Sequence, residues 1–179
     1  MPLPNDYAGQ TCSLARSLEI VGERWTLLIV RDAFYGVRRF GDFATHLDMP
    51  RAVLASRLKA LVGAGVMTRA PGPGTREEYA LTDKGAKLWP VVRDLMAWGD
   101  EFYSPRGPRR ILRHAEDEGM LDAGGRCTKC GAAVEVSDIV IAPGPGLEPR
   151  PPSREPVNAA FGAQRRLLDP VRPHASLAR

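Results

Sequence analysis

The segment Cys127-Thr128-Lys129-Cys130-Gly131 carries the most specific chemistry in the chain. Two thiols separated by two residues and followed by glycine form a knuckle, in which the turn aims both sulfurs at one zinc or iron–sulfur centre. A structural zinc takes four ligands, and the chain has no second CxxC, so the pair alone does not close a site. The remaining cysteine, Cys12, opens the first helix, and a helix N-terminus favours the reactive thiolate form. The other reading of Cys12 is a half-buried small residue. A CxxC can also serve as a redox dithiol, but that use comes with a βαβ setting that this sequence lacks. His46 reads as exposed beside a turn and His174 lies in the tail; neither has a cysteine or carboxylate at a catalytic spacing. Gly72-Pro73-Gly74 and Gly144-Pro145-Gly146 lack the Lys and Ser/Thr of a phosphate loop. With no nucleophile–base pair to argue, the expectation is a protein that is not an enzyme.

The second chemistry is contact with a polyanion. Over residues 49–61, Met49, Leu54, Leu58 and Leu61 recur at helical spacing and define one apolar face. Arg51, Ala52, Ala55, Ser56 and Lys59 fall on the opposite side, and Arg57 borders the stripe. A solvated helix face usually mixes signs, whereas this one holds small residues between positive ones and no acid. Such a face can approach DNA closely in the major groove. Arg51, near the helix start, suits guanine O6 and N7, and the alanines suit thymine methyls. Lys59, with Arg69 and Arg76 further on, suits phosphates.

Elements must position these groups. Residues 1–11 read as a flexible arm. A helix is expected from 12 or 13 to 21, with Gly22 as a left-handed stop. A second, apolar nearly all round, is expected over residues 23–35 and should be the buried centre, with Gly36 ending it. Phe40, Phe43, Ala44 and Leu47 are spaced as the inner face of a short helix. Asp48-Met49-Pro50 makes the turn into the next, giving the form of a helix-turn-helix. The period then changes to two. Residues 66–69 and 77–81 read as strands around a Pro-Gly loop, and Arg69 and Arg76 flank the tip of this wing. Thr82 suits the N-cap of a helix over 83–103, kinked at Pro90. Its broad stripe, running from Leu88 to Phe102, packs within the chain or against a second copy. Pro and Gly around residue 107 mark a boundary. Residues 105–141 read as a small β-rich appendage, and residues 142–179 as a Pro-rich disordered tail with a weak helix near 158–168.

The chain has 179 residues, 44% apolar, with a formal net charge of +4. That permits nucleic acid without demanding it. There is no signal-peptide pattern at the N-terminus, the longest apolar run is far too short for a bilayer, and sparse cysteines suit a reducing cytoplasm.

In order, Cys12, then Val21-Gly22-Glu23-Arg24-Trp25-Thr26-Leu27-Leu28-Ile29, Arg39-Phe40, Leu54 with Arg57-Leu58, Tyr79-Ala80-Leu81-Thr82-Asp83-Lys84-Gly85 and Trp98-Gly99-Asp100 resemble the HxlR-type (MarR-like) winged-helix regulators. The resemblance implies a fold that is mainly α with a small β-hairpin, a winged helix-turn-helix over residues 12–104. It implies a cytoplasmic, bacterial, homodimeric regulator of transcription, paired through residues 12–21 and 83–103 and bound to double-stranded DNA at a pseudo-palindromic operator. By position the recognition helix is 51–62 and the wing 71–77. Many members carry a Ser near Pro50 that caps the recognition helix; here Asp48 is the nearest acceptor. Some members use a cysteine at the place of Cys12 to sense oxidants or electrophiles; a small-molecule effector is the other signal considered. Long members carry an appendage with a second half of the form HxxCG. Here His114-Ala115-Glu116-Asp117-Glu118-Gly119 stands in its place. His114, Asp117 or Glu118, Cys127 and Cys130 can then close a structural zinc site, or the appendage is a plain hairpin with a dithiol. No cofactor is otherwise required. The alternative function is a protein-interaction module built on a winged helix without specific DNA binding.

Overall fold

The computed structural model describes residues 7, 9–72, 76–148 and 156–172. Its N-terminal half runs α1 (Ser13–Val21), α2 (Thr26–Phe34), α3 (Phe40–Leu47), α4 (Arg51–Gly63), β1 (Met67–Pro71), β2 (Glu77–Leu81), α5 (Asp83–Ala86) and α6 (Trp89–Tyr103). The C-terminal part adds β3 (Arg110–His114), β4 (Ile139–Pro143), α7 (Pro156–Phe161) and β5 (Arg165–Arg166). The first half is the winged helix-turn-helix expected from the sequence.

Apolar spacing explains the packing. Phe43 and Leu47 of α3, then Met49, Leu54, Leu58 and Leu61 at and within α4, are all buried against Ile29, Val30, Ala33 and Phe34 of α2. Each large side chain so buried contributes ~1.5–3 kcal/mol of transfer free energy. The wing is an antiparallel pair with Met67 opposite Leu81 and Arg69 opposite Tyr79. The Tyr79 amide donates to the Arg38 carbonyl at 2.8 Å, which pins the wing to the turn before α3. Thr82 caps α5 as expected: its hydroxyl accepts from the Gly85 amide at 3.1 Å and lies 2.7 Å from the Gly65 carbonyl, to which it donates.

Several expectations are corrected. The second helix starts at Thr26, not residue 23, because Trp25 sits at φ 79°, a left-handed conformation that no helix continues through. Gly22 ends α1 in the right-handed region. Leu28 is 40% exposed, so α2 is not apolar-buried all round. Conversely α2 buries a carboxylate, Asp32, completely. Pro90 does not kink a long helix. It lies in the first turn of α6, where a missing N–H costs no intrahelical bond, and the chain breaks between α5 and α6 instead. The broad stripe divides: Trp89 and Val92 face the core, while Val91, Leu95, Trp98 and Phe102 face solvent.

The largest correction concerns the tail. Residues 142–148 and 156–172 are ordered, while 149–155 and 173–179, including His174, lie outside the described residues. Val157, Phe161, Leu167 and Val171 join the same core cluster as α2, α3 and β4. The Leu168 amide donates to the Phe34 carbonyl at 2.7 Å, and the Val171 amide to the Gly36 carbonyl at 2.8 Å. Gly36 ends the second helix as expected, at φ 88°, and a Cβ there would overlap the Asp169 carbonyl. Only glycine accommodates both the turn and the returning chain. Proline and glycine concentrate upstream, and the few apolar residues beyond them reach a surface left open by α2 and β4. The weak helix is accordingly displaced to Pro156–Phe161, and the appendage is not separate: β4 pairs with β3 on one side and β5 on the other.

Candidate nucleic-acid interface and metal cluster

Arg51, Ala52, Ala55, Ser56 and Lys59 are all exposed on α4, opposite Leu54, Leu58 and Leu61. Arg57 is half-buried and held by Glu23 at 3.0 Å, so it ties α4 to the α1–α2 turn rather than facing outward. No side chain caps α4. Asp48 instead adopts the left-handed conformation that closes α3, at φ 47°. A helix start without a side-chain cap from its N-cap residue is suited to a phosphate oxygen. Arg51 packs its guanidinium over the Phe40 ring, 4.9 Å from the centroid, which holds it at the helix start.

A groove of about 780 Å³ runs between α4 and the wing. Arg39, Lys59, Arg69 and Arg76 line it against two carboxylates, Asp42 and Glu77. Arg69 is paired with Glu77 on the wing, and Arg39 lies 3.6 Å from Glu78. The Arg69–Glu77 pair is exposed enough to exchange for phosphate at small cost, while Arg39 and Glu78 are mostly buried. Ala55 lines the groove; Arg51, Ala52 and Ser56 lie outside its lining. Sequence reasoning missed Arg39 and Tyr79 as parts of this surface. The signal for Arg39 was present in the basic turn Arg38-Arg39, immediately before α3.

His46 is half-buried, not exposed: its Nδ1 lies 2.6 Å from Oδ2 of the buried Asp32, whose Oδ1 accepts from Arg31 at 2.7 Å. Neither the spacing nor the composition announced this triad. Cys12 is exposed at the residue before α1.

The second cluster forms where β3 ends. His114, Asp117, Cys127 and Cys130 each offer a ligand atom, all within 4.8 Å of one another. The Cys127 thiol lies 3.2 and 3.3 Å from the two Asp117 oxygens, His114 Nδ1 is 3.4 Å from Asp117 Oδ1, and Cys130 Sγ is 3.5 Å from His114 Nδ1. A tetrahedral zinc with N, O and S ligands has ligand–ligand edges of roughly 3.3–3.8 Å. Three of the six pairs, Cys127–Asp117, His114–Asp117 and Cys130–His114, lie at 3.2–3.5 Å, close to such edges, and all the ligand atoms lie within 4.8 Å of one another. Gly131, at φ 73°, closes the knuckle by donating from its amide to the Cys127 carbonyl at 2.8 Å. The choice between Asp117 and Glu118 falls on Asp117, since Glu118 sits in a left-handed turn with its side chain exposed. The Gly119 amide, donating to Asp117 Oδ1 at 2.8 Å, leads the effects that hold its carboxyl below the usual range. Cys130 is pushed up: the Ala132 amide opposes the rise, and desolvation with the neighbouring Cys127 and Asp117 outweighs it. Glu116 stands 3.8 Å from His114 Nε2, the partner that a metal-bound imidazole commonly has.

The HxlR-like helix-turn-helix family model matches residues 20–107. The chain is similar to the HTH-type transcriptional regulator Rv3095 of Mycobacterium tuberculosis, 45% identical over 139 residues, or 76% of this chain and 88% of the relative. It is similar also to the HTH-type regulator YvaP of Bacillus subtilis, 37% identical over 93 residues, 50% of this chain and 86% of the relative. Among solved structures, that of PA1607, a candidate transcription factor, aligns with a TM-score of 0.51 at 35% identity, covering 76% of this chain and 87% of that one. No helix among the described residues is long and apolar enough to cross a membrane.

Proposed function

The chain belongs to the HxlR-like helix-turn-helix family of transcriptional regulators, and on that premise we propose that it reads a pseudo-palindromic operator as a homodimer in the cytoplasm. The observation that carries the reading is the acid-free outer face of α4 beside a groove lined by Arg39, Lys59, Arg69 and Arg76. Small residues at 52, 55 and 56 let the helix approach base edges. Arg51 supplies the one long donor near the helix start, and the groove cations take the flanking phosphates. Most of the affinity is then electrostatic and salt-dependent. The dimer rests on the exposed apolar residues of α1 and α6. The zinc reading of the appendage rests on the close set His114, Asp117, Cys127 and Cys130, whose ligand atoms all lie within 4.8 Å of one another, and it is a structural metal and not a catalytic one. The exposure of Cys12 leaves its thiol open to oxidants and electrophiles, the signal suggested for it by family resemblance.

The test is fluorescence anisotropy with a duplex selected by the full chain from a random library, beside a scrambled duplex, over a salt series. Arg51→Ala should weaken the selected duplex by about 1–3 kcal/mol and leave the scrambled one nearly unchanged. Lys59→Ala should weaken both alike and reduce the salt slope by about one. Equal losses on the two duplexes for Arg51→Ala would remove its base-reading role. Absence of any duplex preference in the unsubstituted protein would favour a protein-interaction module.

A further inference from the structure

The groove between α4 and the wing keeps its width only while β2 is held at a fixed distance from α3. A two-stranded ribbon is weakly stable alone, so the wing depends on bonds to the rest of the molecule. At its base the Thr82 amide donates to the Val66 carbonyl at 3.1 Å. Midway along β2 the Tyr79 amide holds the Arg38 carbonyl, with the Arg39–Glu78 ion pair beside it. The far side of the same turn is held by the C-terminal segment. Arg38 Nη2 donates to the Leu168 carbonyl at 2.7 Å, and the Leu168 and Val171 amides donate to the Phe34 and Gly36 carbonyls. Arg38 is therefore gripped from two sides, its carbonyl by the wing and its guanidinium by a residue 130 positions further along the chain. Leu168 bonds the turn through both its amide and its carbonyl, and it does so at φ 65°. A leucine in the left-handed region is kept there by its surroundings. Leu167 and Val171, both buried, clamp it on either side, and the Leu167 amide is bonded to Ile139 of β4 at 2.8 Å. Arg38 itself is half-buried and lies outside the groove lining, which includes Arg39 and Tyr79.

We infer that Arg38 is a positioning residue for DNA recognition: through its bond to Leu168 the C-terminal segment sets the distance between the wing and the α3–α4 unit. The role in recognition rests on the DNA-binding reading above, whereas the clamp on the wing does not. Phosphates along a duplex stand at fixed spacings. Arg76 on the wing and Lys59 on α4 can then serve the same backbone only at one separation of the two elements. A charged donor makes the stronger kind of hydrogen bond, which suits a link that must hold this separation. The same bond separates Arg38 from its neighbour Arg39. The Arg38 guanidinium is already occupied by a carbonyl on the side away from the wing, so it acts on DNA through the turn and not by touching phosphate. The C-terminal segment is thereby a working part of the reading head, although it follows the winged helix by some 60 residues and is anchored in the sheet of the appendage.

Two variants test this from opposite sides of the bond. Arg38→Met keeps the aliphatic stem and removes the donors. Leu168→Pro has no amide to donate and cannot hold φ 65°. The first measurement needs no DNA: amide hydrogen exchange of the full-length protein, read at Tyr79. Either variant should speed exchange there by about tenfold or more and leave the amides of α4 unchanged. Tyr79 exchange at its original rate, or a rise shared by α4, would overturn the clamp. The second measurement is a pair of double-substitution cycles in the anisotropy assay with the selected duplex. Arg38→Met should weaken binding by about tenfold. Arg76→Ala should weaken the unsubstituted protein by about fivefold but the Arg38→Met protein by less than about twofold, because a displaced wing has already lost that contact. Lys59→Ala should cost the same factor in both backgrounds. Full additivity of Arg38→Met with Arg76→Ala would mean that Arg38 meets phosphate independently, and the positioning role would fall. So would undiminished duplex affinity in Arg38→Met. An unsubstituted protein that prefers no duplex would overturn the DNA-binding reading instead, and the exchange result would still decide whether the C-terminal segment holds the wing. If one variant loses its native circular dichroism, the other carries both measurements.

Discussion

Asp117 stands where a thiolate or imidazole would complete a more familiar zinc set, and its position governs what the neighbouring thiols do. A carboxylate is an acceptable but harder ligand than a thiolate, so the set His114, Asp117, Cys127 and Cys130 should hold zinc, with Cys127 the most consequential member. Cys127 is 2% exposed, and its thiol contacts both Asp117 oxygens. Protein purified without chelator should contain about one zinc per chain by elemental analysis, and Cys127→Ser should bring this close to zero. A stoichiometry well below one in the unsubstituted chain would leave a hairpin with a dithiol. The two cysteines were legible because thiol spacing is a local property of the sequence, and His114 came from the family resemblance. The fourth candidate was narrowed to Asp117 or Glu118, which differ only in which way one turn carries them, and the left-handed turn at Glu118 leaves Asp117 beside the thiols. Arg51 shows the same limit: its place on the helix was readable, its seat on the Phe40 ring was not.

Between elements, hydrophobic periodicity served well wherever it was dense. The expected spans of α3 and β2 match the observed ones, and α4 begins at Arg51 as expected. It failed where apolar residues are sparse. Val157 and Phe161 are one helical turn apart, as are Leu167 and Val171, but two such pairs behind a Pro-Gly run are too few to outweigh composition, which pointed to disorder, yet all four are buried. The reason is tertiary. β5 completes a sheet begun at β3, and the Leu167 amide donates to the Ile139 carbonyl at 2.8 Å. Leu167 is 1% exposed, so Leu167→Ala should lower the stability of the whole fold by about 2–5 kcal/mol, the usual range for a large apolar side chain removed from a core. Urea unfolding followed by tryptophan fluorescence measures it. A change within about 0.5 kcal/mol, as for an ordinary surface site, would mean that the C-terminal segment does not pack in solution as it does here.

For the molecule as a whole, the unanswered demand is the apolar face of α6 and α1. Val91, Leu95, Trp98 and Phe102 are 45, 50, 54 and 60% exposed, and Leu14 on α1 is 65% exposed. Positions 91, 95, 98 and 102 follow helical spacing, so they form one stripe rather than scattered surface residues. Trp98 also contacts the rings of Phe102 and Tyr103 at 5.4 and 5.5 Å, which makes the patch continuous. A soluble monomer rarely leaves such a patch uncovered, and a second copy related by a two-fold axis covers it with the same residues. The axis would also set two α4 helices for successive major grooves, roughly 34 Å apart, as a palindromic operator requires. Leu95→Glu places a charge in the middle of the stripe and touches none of the core. Light scattering should give the unsubstituted protein twice the 19.5 kDa chain mass and the variant a single chain mass, with unchanged circular dichroism. Losing one half of the phosphate contacts should roughly halve the salt slope on the selected duplex and weaken binding by about a hundredfold or more. An unsubstituted protein that runs as a single chain and still prefers its selected duplex would show that one reading head suffices, and the stripe would then need another partner.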